Sequence, residues 1–61
     1  MVDMEDFSKE LLRYGSIITD GSFYAFRILF VRIRTISYNN KIYYHRMVDG
    51  EVSEIKEIGN A

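Results

Sequence analysis

Three turn dipeptides divide the chain after Gly15, and they constrain its fold more than any other feature. The dipeptides are Asp20-Gly21, Asn39-Asn40 and Asp49-Gly50. Each tolerates the positive φ angles of two-residue hairpin turns, and the segments between them are rich in the β-branched and aromatic residues of strands. The pattern predicts an antiparallel meander with strands near residues 16–19, 22–37, 41–48 and 51–58.

The segment before Gly15 has the spacing of a helix. Its apolar residues recur three and four positions apart, as on one buried stripe; they are Met4, Phe7, Leu11 and Tyr14. Asp3 suits the N-cap position, and Gly15 suits the helix end. The chain is therefore expected to be an α+β protein, with one N-terminal helix over about 3–14 packed on a three- to four-stranded antiparallel meander sheet.

The last segment leaves an alternative open. Val52, Ile55 and Ile58 recur every three residues, and this spacing fits a short helix as well as a strand. Both assignments of residues 51–58 are kept at this point.

The size of the chain limits how it can be stabilised. Sixty-one residues hold one core, because a domain of this size buries only about 60% of the surface that its unfolded chain exposes, so we expect one domain over residues 1–61. The chain has no cysteine, and His45 is its one histidine, so we expect no metal and no cofactor. Packing must supply the stability, helped by formation of a homodimer.

Cysteine usage and hydropathy bear on location. A chain without cysteine fits a reducing compartment, and we expect the protein to be cytoplasmic. The longest apolar run, residues 28–31, is far shorter than the ~20 residues that a membrane-spanning helix needs. No membrane partner is therefore expected.

Charge is sorted along the chain although the net charge is only −1. Both ends are acidic, while residues 21–48 contain no acid and five basic residues: Arg27, Arg32, Arg34, Lys41 and Arg46. Two-residue turns would place Arg34, His45 and Glu54 in one cross-strand row, beside a row of Arg32, Met47 and Val52. The expected helix-binding surface is the opposite face, formed by Val31, Ile33, Thr35, Ile42, Tyr44, Val48 and Ile55. Arg46 is a misfit on that face, which indicates a marginal position or a bulge.

No catalytic site is visible in the sequence. His45 is the one side chain suited to acid–base chemistry near neutral pH, and a carboxylate such as Glu54 beside it would orient a general base. A charge row across a sheet is nevertheless an ordinary structural feature. The serines lie in no nucleophile motif, and the glycines are too scattered for a phosphate-binding loop. We therefore expect a protein that is not an enzyme.

The predicted function is that of a small interaction module, of the kind found among accessory or regulatory proteins of bacteria and phages. Binding to a protein partner is expected through the polar sheet face, because Arg and Tyr are frequent at interfaces; its candidate residues are Arg32, Arg34, Tyr43 and His45. The less favoured alternative is single-stranded nucleic-acid binding by the same basic, aromatic strands. Self-association is expected through Phe26, Ile28 and Phe30, because residues 26–30 would lack strand partners in the predicted sheet.

Overall fold

The computed structural model describes residues 4–61 and has one helix followed by four strands. The elements are α1 (Met4–Tyr14), β1 (Ser16–Ala25), β2 (Leu29–Tyr38), β3 (Lys41–Val48) and β4 (Glu51–Asn60). The strands form one antiparallel sheet in the order β1-β2-β3-β4. The predicted α+β architecture is confirmed, and residues 51–58 belong to a strand. The proposed N-cap, Asp3, lies outside the described residues.

The second and third predicted turns are confirmed. Asn39 and Asn40 have φ angles of 52° and 63°, and the turn is closed by the pair Tyr38 and Lys41. Asp49 and Gly50 follow the same pattern, with φ angles of 51° and 83°. Positive φ at both central positions is what a tight hairpin turn requires, so these dipeptides fix the β2–β3 and β3–β4 connections.

The first predicted turn is wrong. Asp20 and Gly21 lie inside β1, and the chain reverses at Phe26-Arg27, so the predicted strands 16–19 and 22–37 are replaced by β1 and β2. Reversing later lets β1 and β2 form a ladder along ten-residue strands, and this long ladder outweighs the turn preference of one dipeptide.

The predicted gap in strand pairing is therefore also wrong. Leu29 pairs with Ala25, and Phe30 pairs with Tyr24. The amide of Phe30 also donates to the Asp49 carboxylate at 3.1 Å. The argument for self-association through unpaired strand residues loses its basis, although the side chains concerned remain exposed.

Three of the four pairings in the predicted rows across β2, β3 and β4 are as expected. Arg34 pairs with His45, and the row of Arg32, Met47 and Val52 is present. The pairing of His45 with Glu54 is wrong, because a β-bulge shifts the register of β4 after Val52.

That bulge explains the misfit at Arg46. The extra residue, Ser53, places Glu54 opposite Arg46 and Ile55 opposite His45. Arg46 donates to the Ser53 hydroxyl through Nε at 3.3 Å. The bulge thereby supplies polar partners to an arginine on an otherwise apolar face.

The helix packs on the face opposite to the predicted one. The Ser8 hydroxyl and His45 Nε2 share a hydrogen bond of 2.6 Å, and the Phe7 ring packs edge-on against Tyr43 with a centroid distance of 5.3 Å. The Tyr38 hydroxyl donates to Glu10 at 2.5 Å on the same side. The face of Val31, Ile33, Thr35, Ile42, Tyr44 and Val48 therefore does not receive α1.

Chain connection explains which face the helix covers. Gly15 ends α1 by donating its amide to the Leu11 carbonyl at 2.9 Å, and β1 begins at the next residue. A Cβ added to Gly15 would lie 2.5 Å from Cγ2 of Ile36, so the helix end rests directly on the face to which Ile36 belongs. Bulges in β1 and β4 bring Ile17 and Ile55 into register with residues of that face, which makes it more apolar than the sequence suggests.

The core is small. Among the described residues, the buried apolar side chains are Leu11, Val31 and Ile36. Leu11 confirms the centre of the predicted helical stripe, but Tyr14 is 67% exposed and Ser8 is buried in the stripe instead. With so little apolar burial, each core contact carries a large share of the stability.

Candidate functional site

The four residues predicted to bind a partner share one sheet face, but α1 covers much of it. His45 is fully buried, and Arg34 is 9% exposed. Tyr43 is half-buried against Phe7, and the Arg32 side chain alone remains 42% exposed. The structure brings the predicted residues together beneath and beside the helix and not on an open surface.

His45 is held as a neutral, buried hydrogen-bonding group. Burial lowers its pKa, and the nearby Arg34 charge lowers it further. Its Nδ1 has no partner among the described residues, and Glu54, which would have oriented it, lies opposite Arg46. The contact with Ser8 is therefore a serine–histidine pair without the carboxylate of a catalytic triad.

The buried histidine predicts that acid weakens the fold. The unfolded chain binds a proton at His45 near pH 6.5, whereas the folded chain binds it only at lower pH. Stability present above pH 6.5 should therefore fall as the pH drops, by at most about 1.4 kcal/mol per pH unit. Urea unfolding at pH 7.5 and pH 5.5 should show this loss. His45→Gln should remove the difference between the two pH values, and an equal difference in the variant would contradict the assignment.

A cluster of one acid and two arginines lies next to the helix. Arg32 binds Asp20 with two hydrogen bonds, from Nε at 3.0 Å and from Nη2 at 2.6 Å. These bonds lower the pKa of Asp20 and raise the pKa of Arg32. Nε of Arg34 lies 3.7 Å from the same carboxylate. The sequence analysis assigned Asp20 to a turn, so it did not predict this cluster. The one sequence feature that indicates the cluster is an acidic residue shortly before a run of basic residues.

The basic residues do not form an open row for nucleic acid in residues 4–61. Arg32 is bound to Asp20, and Lys41 forms an ion pair with Glu57 at 3.2 Å. Arg34 is buried, and Arg46 lies opposite Glu54. Backbone-tracking grooves of single-strand binders need cations that are available to phosphates, and the described strands offer few of them.

The β1–β2 hairpin projects beyond the rest of the sheet. β3 ends at Val48 opposite Val31, so residues 22–30 have strand partners only within the β1–β2 pair, and Phe30 in addition exchanges hydrogen bonds with Asp49. We refer to residues 23–30 as the hairpin tip. Its apolar side chains are unusually exposed to solvent: Phe26 87%, Ile28 76%, Tyr24 67% and Phe23 51%.

The turn of the hairpin tip is built from residues that disfavour it. Phe26 and Arg27 have φ angles of 53° and 64°, where bulky side chains are strained by about 1 to 3 kcal/mol each. The turn is closed by a hydrogen bond from the Ile28 amide to the Ala25 carbonyl at 3.2 Å. Nothing in the local sequence signals a turn at this point, because it contains no glycine, asparagine or aspartate.

Within residues 4–61, no three His, Asp or Glu side chains are grouped so that they could hold a metal ion. The one described helix is too short to cross a membrane.

No protein-family model, curated protein or solved structure matches the chain. Its function is therefore argued from its own residues.

Proposed function

We propose that this protein is a non-enzymatic binding module that engages a protein partner through the hairpin tip. The main support for this proposal is that large apolar side chains of the hairpin tip project into solvent, with Phe26 87% exposed and Ile28 76% exposed. Aromatic residues are enriched at protein interfaces and dominate their binding energy. An apolar cluster on a projecting hairpin fits a recess on another protein.

The strained turn supports a role for the side chains of the hairpin tip. An Asn-Gly pair would form the same turn without strain, whereas Phe26 and Arg27 adopt positive φ at a cost to stability. Strain of this kind accumulates where function selects the side chain. Phe26 and Arg27 therefore serve something other than the fold.

The charge of the hairpin defines the partner surface. Residues 21–31 contain Arg27 and no acid, so the complementary surface is an apolar recess with a carboxylate near its floor. A lipid bilayer is a poorer match, because Arg27 at the apex would enter the hydrocarbon first, and a buried charge there is costly.

Self-association through Phe26, Ile28 and Phe30 stays a prediction. A symmetric contact between two hairpin tips would bring two Arg27 side chains together without an acid from residues 21–31. This repulsion favours a different protein as partner over a second copy. Sedimentation equilibrium of the purified chain measures the monomer–dimer equilibrium directly.

A cytoplasmic accessory role completes the proposal. The chain has no cysteine, so it lacks the cross-links that stabilise many small secreted domains.

Replacing the turn by its ideal sequence tests the proposal. The double variant Phe26→Asn, Arg27→Gly should raise the melting temperature by roughly 5 °C or more, because it relieves strain. The same variant should weaken partner binding at least about tenfold, since buried aromatic and arginine side chains are the usual hot spots. A photo-crosslinking residue at position 26, introduced in cells that make the protein naturally, identifies the partner, and calorimetry with the purified partner measures affinity.

Tyr14→Ser provides the matched control. Tyr14 is an exposed aromatic residue on α1, with 67% of its surface accessible, and it lies outside the hairpin tip. Its substitution should leave partner affinity unchanged. Equal affinity of the double variant and the unaltered protein, or crosslinking at position 14 in preference to position 26, would refute the proposal.

A further inference from the structure

A cavity of about 310 Å³ lies between the end of α1 and the sheet. Its lining combines apolar side chains with two guanidinium groups; the residues are Leu12, Phe30, Arg32, Arg34, Met47 and Gly50. Ligand pockets span about 300 to 1,000 Å³, so this cavity suits a ligand no larger than an amino-acid side chain or a small organic acid. It is separate from the apex of the hairpin tip.

Arg34 is a buried cation with poor hydrogen-bond acceptors. Its side chain is 10% exposed, and Nε lies 3.7 Å from the Asp20 carboxylate, beyond hydrogen-bonding distance. Nε has no acceptor among the described residues, and Nη1 donates only to the sulfur of Met47 at 3.9 Å. A guanidinium buried in this way is costly unless an oxygen acceptor satisfies it.

Asp20 does not fill that need. Both close hydrogen bonds of its carboxylate are made to Arg32. Two guanidinium groups thus share one carboxylate, and one positive charge of this trio is uncompensated. Arg34 makes the longer of the two contacts, at 3.7 Å from the carboxylate, and it also lines the cavity.

A second, larger cavity offers no comparable chemistry. It has a volume of about 450 Å³ and is lined by Met4, Phe7, Tyr43, Ile55 and Glu57. Its charged group, Glu57, already forms an ion pair with Lys41 at 3.2 Å. The cavity beside Arg34 is therefore the better candidate of these two for a charged ligand.

We propose that the cavity beside Arg34 binds a carboxylate joined to a small apolar group. The carboxylate would accept hydrogen bonds from Arg34 and Arg32, which present the fork geometry that carboxylates fit. The apolar group would pack among Phe30, Leu12 and Met47. The site does not depend on the partner proposed for the hairpin tip, because its charged groups, Arg34 and Arg32, lie outside the tip and Phe30 lies at the base of the tip, away from the strained turn.

Two sources can supply this chemistry, and both are tested. A free aryl acid is represented by phenylacetate, with neutral 2-phenylethanol as the matched control. The terminus of a protein is represented by a short peptide ending in phenylalanine, with its C-terminal amide as control. Shifts of the arginine Nε–H signals in the labelled protein report binding at Arg34 and Arg32.

We expect phenylacetate or the peptide acid to move the Arg34 Nε–H signal saturably, with a dissociation constant of the order of 1 mM. The neutral alcohol and the amide should leave that signal in place. Binding by phenylacetate alone would assign the site to small acids, and binding by the peptide alone would assign it to a protein terminus.

Arg34→Met separates a binding role from a structural one. The variant should weaken carboxylate binding at least about tenfold, because hydrogen bonds to a charged group are lost. Its melting temperature should be unchanged or higher, since a poorly satisfied buried charge is replaced by an apolar side chain. If Arg34 were needed for the fold, its replacement would instead lower the melting temperature. Arg13→Gln, on α1 outside the cavity lining, is the matched control and should not change affinity.

Asp20→Asn tests the same site without removing Arg34. Asp20 competes for the guanidinium groups, so its neutralisation should tighten carboxylate binding by up to about fivefold. The proposal is overturned if neither acid moves the Arg34 signal in the unaltered protein or in Asp20→Asn. It is equally overturned if the neutral controls bind as well as the acids.

Discussion

Replacement of Leu11 by alanine is expected to leave the chain largely unfolded at 37 °C. Leu11 is fully buried, and it is one of three buried apolar side chains in the described residues. Truncating a buried leucine costs about 2 to 5 kcal/mol, whereas a chain of this length has a total stability of roughly 3 to 9 kcal/mol. One substitution therefore removes a large part of the free energy of unfolding.

The neighbouring leucine supplies the control. Leu12→Ala makes the same chemical change in the same helix, but Leu12 is 37% exposed. Its cost should stay below about 1.5 kcal/mol, because less apolar surface is lost and no enclosed cavity forms. Thermal unfolding followed by circular dichroism compares the two variants, and equal melting temperatures would show that Leu11 is not the centre of the core.

Gly15→Ala is expected to have the second-largest effect, although it adds a single methyl group. The added Cβ would lie 2.5 Å from Cγ2 of Ile36 and 2.6 Å from the Leu11 carbonyl oxygen. Ile36 is fully buried, and the Leu11 carbonyl accepts the hydrogen bond that ends α1. Neither atom can therefore move away from the added methyl group without disturbing its own contacts. We expect a loss of about 1 to 3 kcal/mol and a displaced helix, measured by urea unfolding and by the NMR signals of Ile36.

Gly21→Ala is the control for this substitution. No atom lies within 4 Å of a Cβ added there, and Gly21 sits in the exposed edge strand β1. The variant should be neutral or slightly more stable, because alanine reduces the freedom of the unfolded chain. A similar loss at both glycines would mean that close packing at Gly15 is not the cause.

The residues proposed to bind a partner or a ligand also lower the stability of the fold. In a protein with so small a core, the strained turn of the hairpin tip and the poorly satisfied Arg34 reduce an already modest stability. Features that weaken a fold are retained where function requires them. Each proposal therefore predicts a variant that gains or keeps stability while it loses binding.

Much of the architecture is determined by the sequence itself. The helical spacing before Gly15 and the turn dipeptides at 39–40 and 49–50 are local signals, because each depends on the φ angles and side-chain spacing of adjacent residues. Fixed two-residue turns then set the neighbours across β2 and β3. This arithmetic correctly placed Arg34 beside His45 and Arg32 beside Met47.

Three other properties were decided only by the tertiary structure. The chain reverses at Phe26-Arg27 and not at Asp20-Gly21, because a longer strand ladder and the bond between Asp20 and Arg32 outweigh local turn preference. Bulges in β1 and β4 place Ile17 and Ile55 on the face that contains Ile36 and His45. The contact of Gly15 with Ile36 sets the helix over that same face.

Arg34 shows the consequence for the candidate site. From sequence it belongs to a polar, solvent-facing row, yet in the fold it lies under α1 beside a cavity. The sequence determined which residues are neighbours along and across the strands, since those relations follow from backbone geometry. Which face is covered depends on single-residue shifts in register and on one close contact at a glycine, and these arise only when the helix and the sheet pack together.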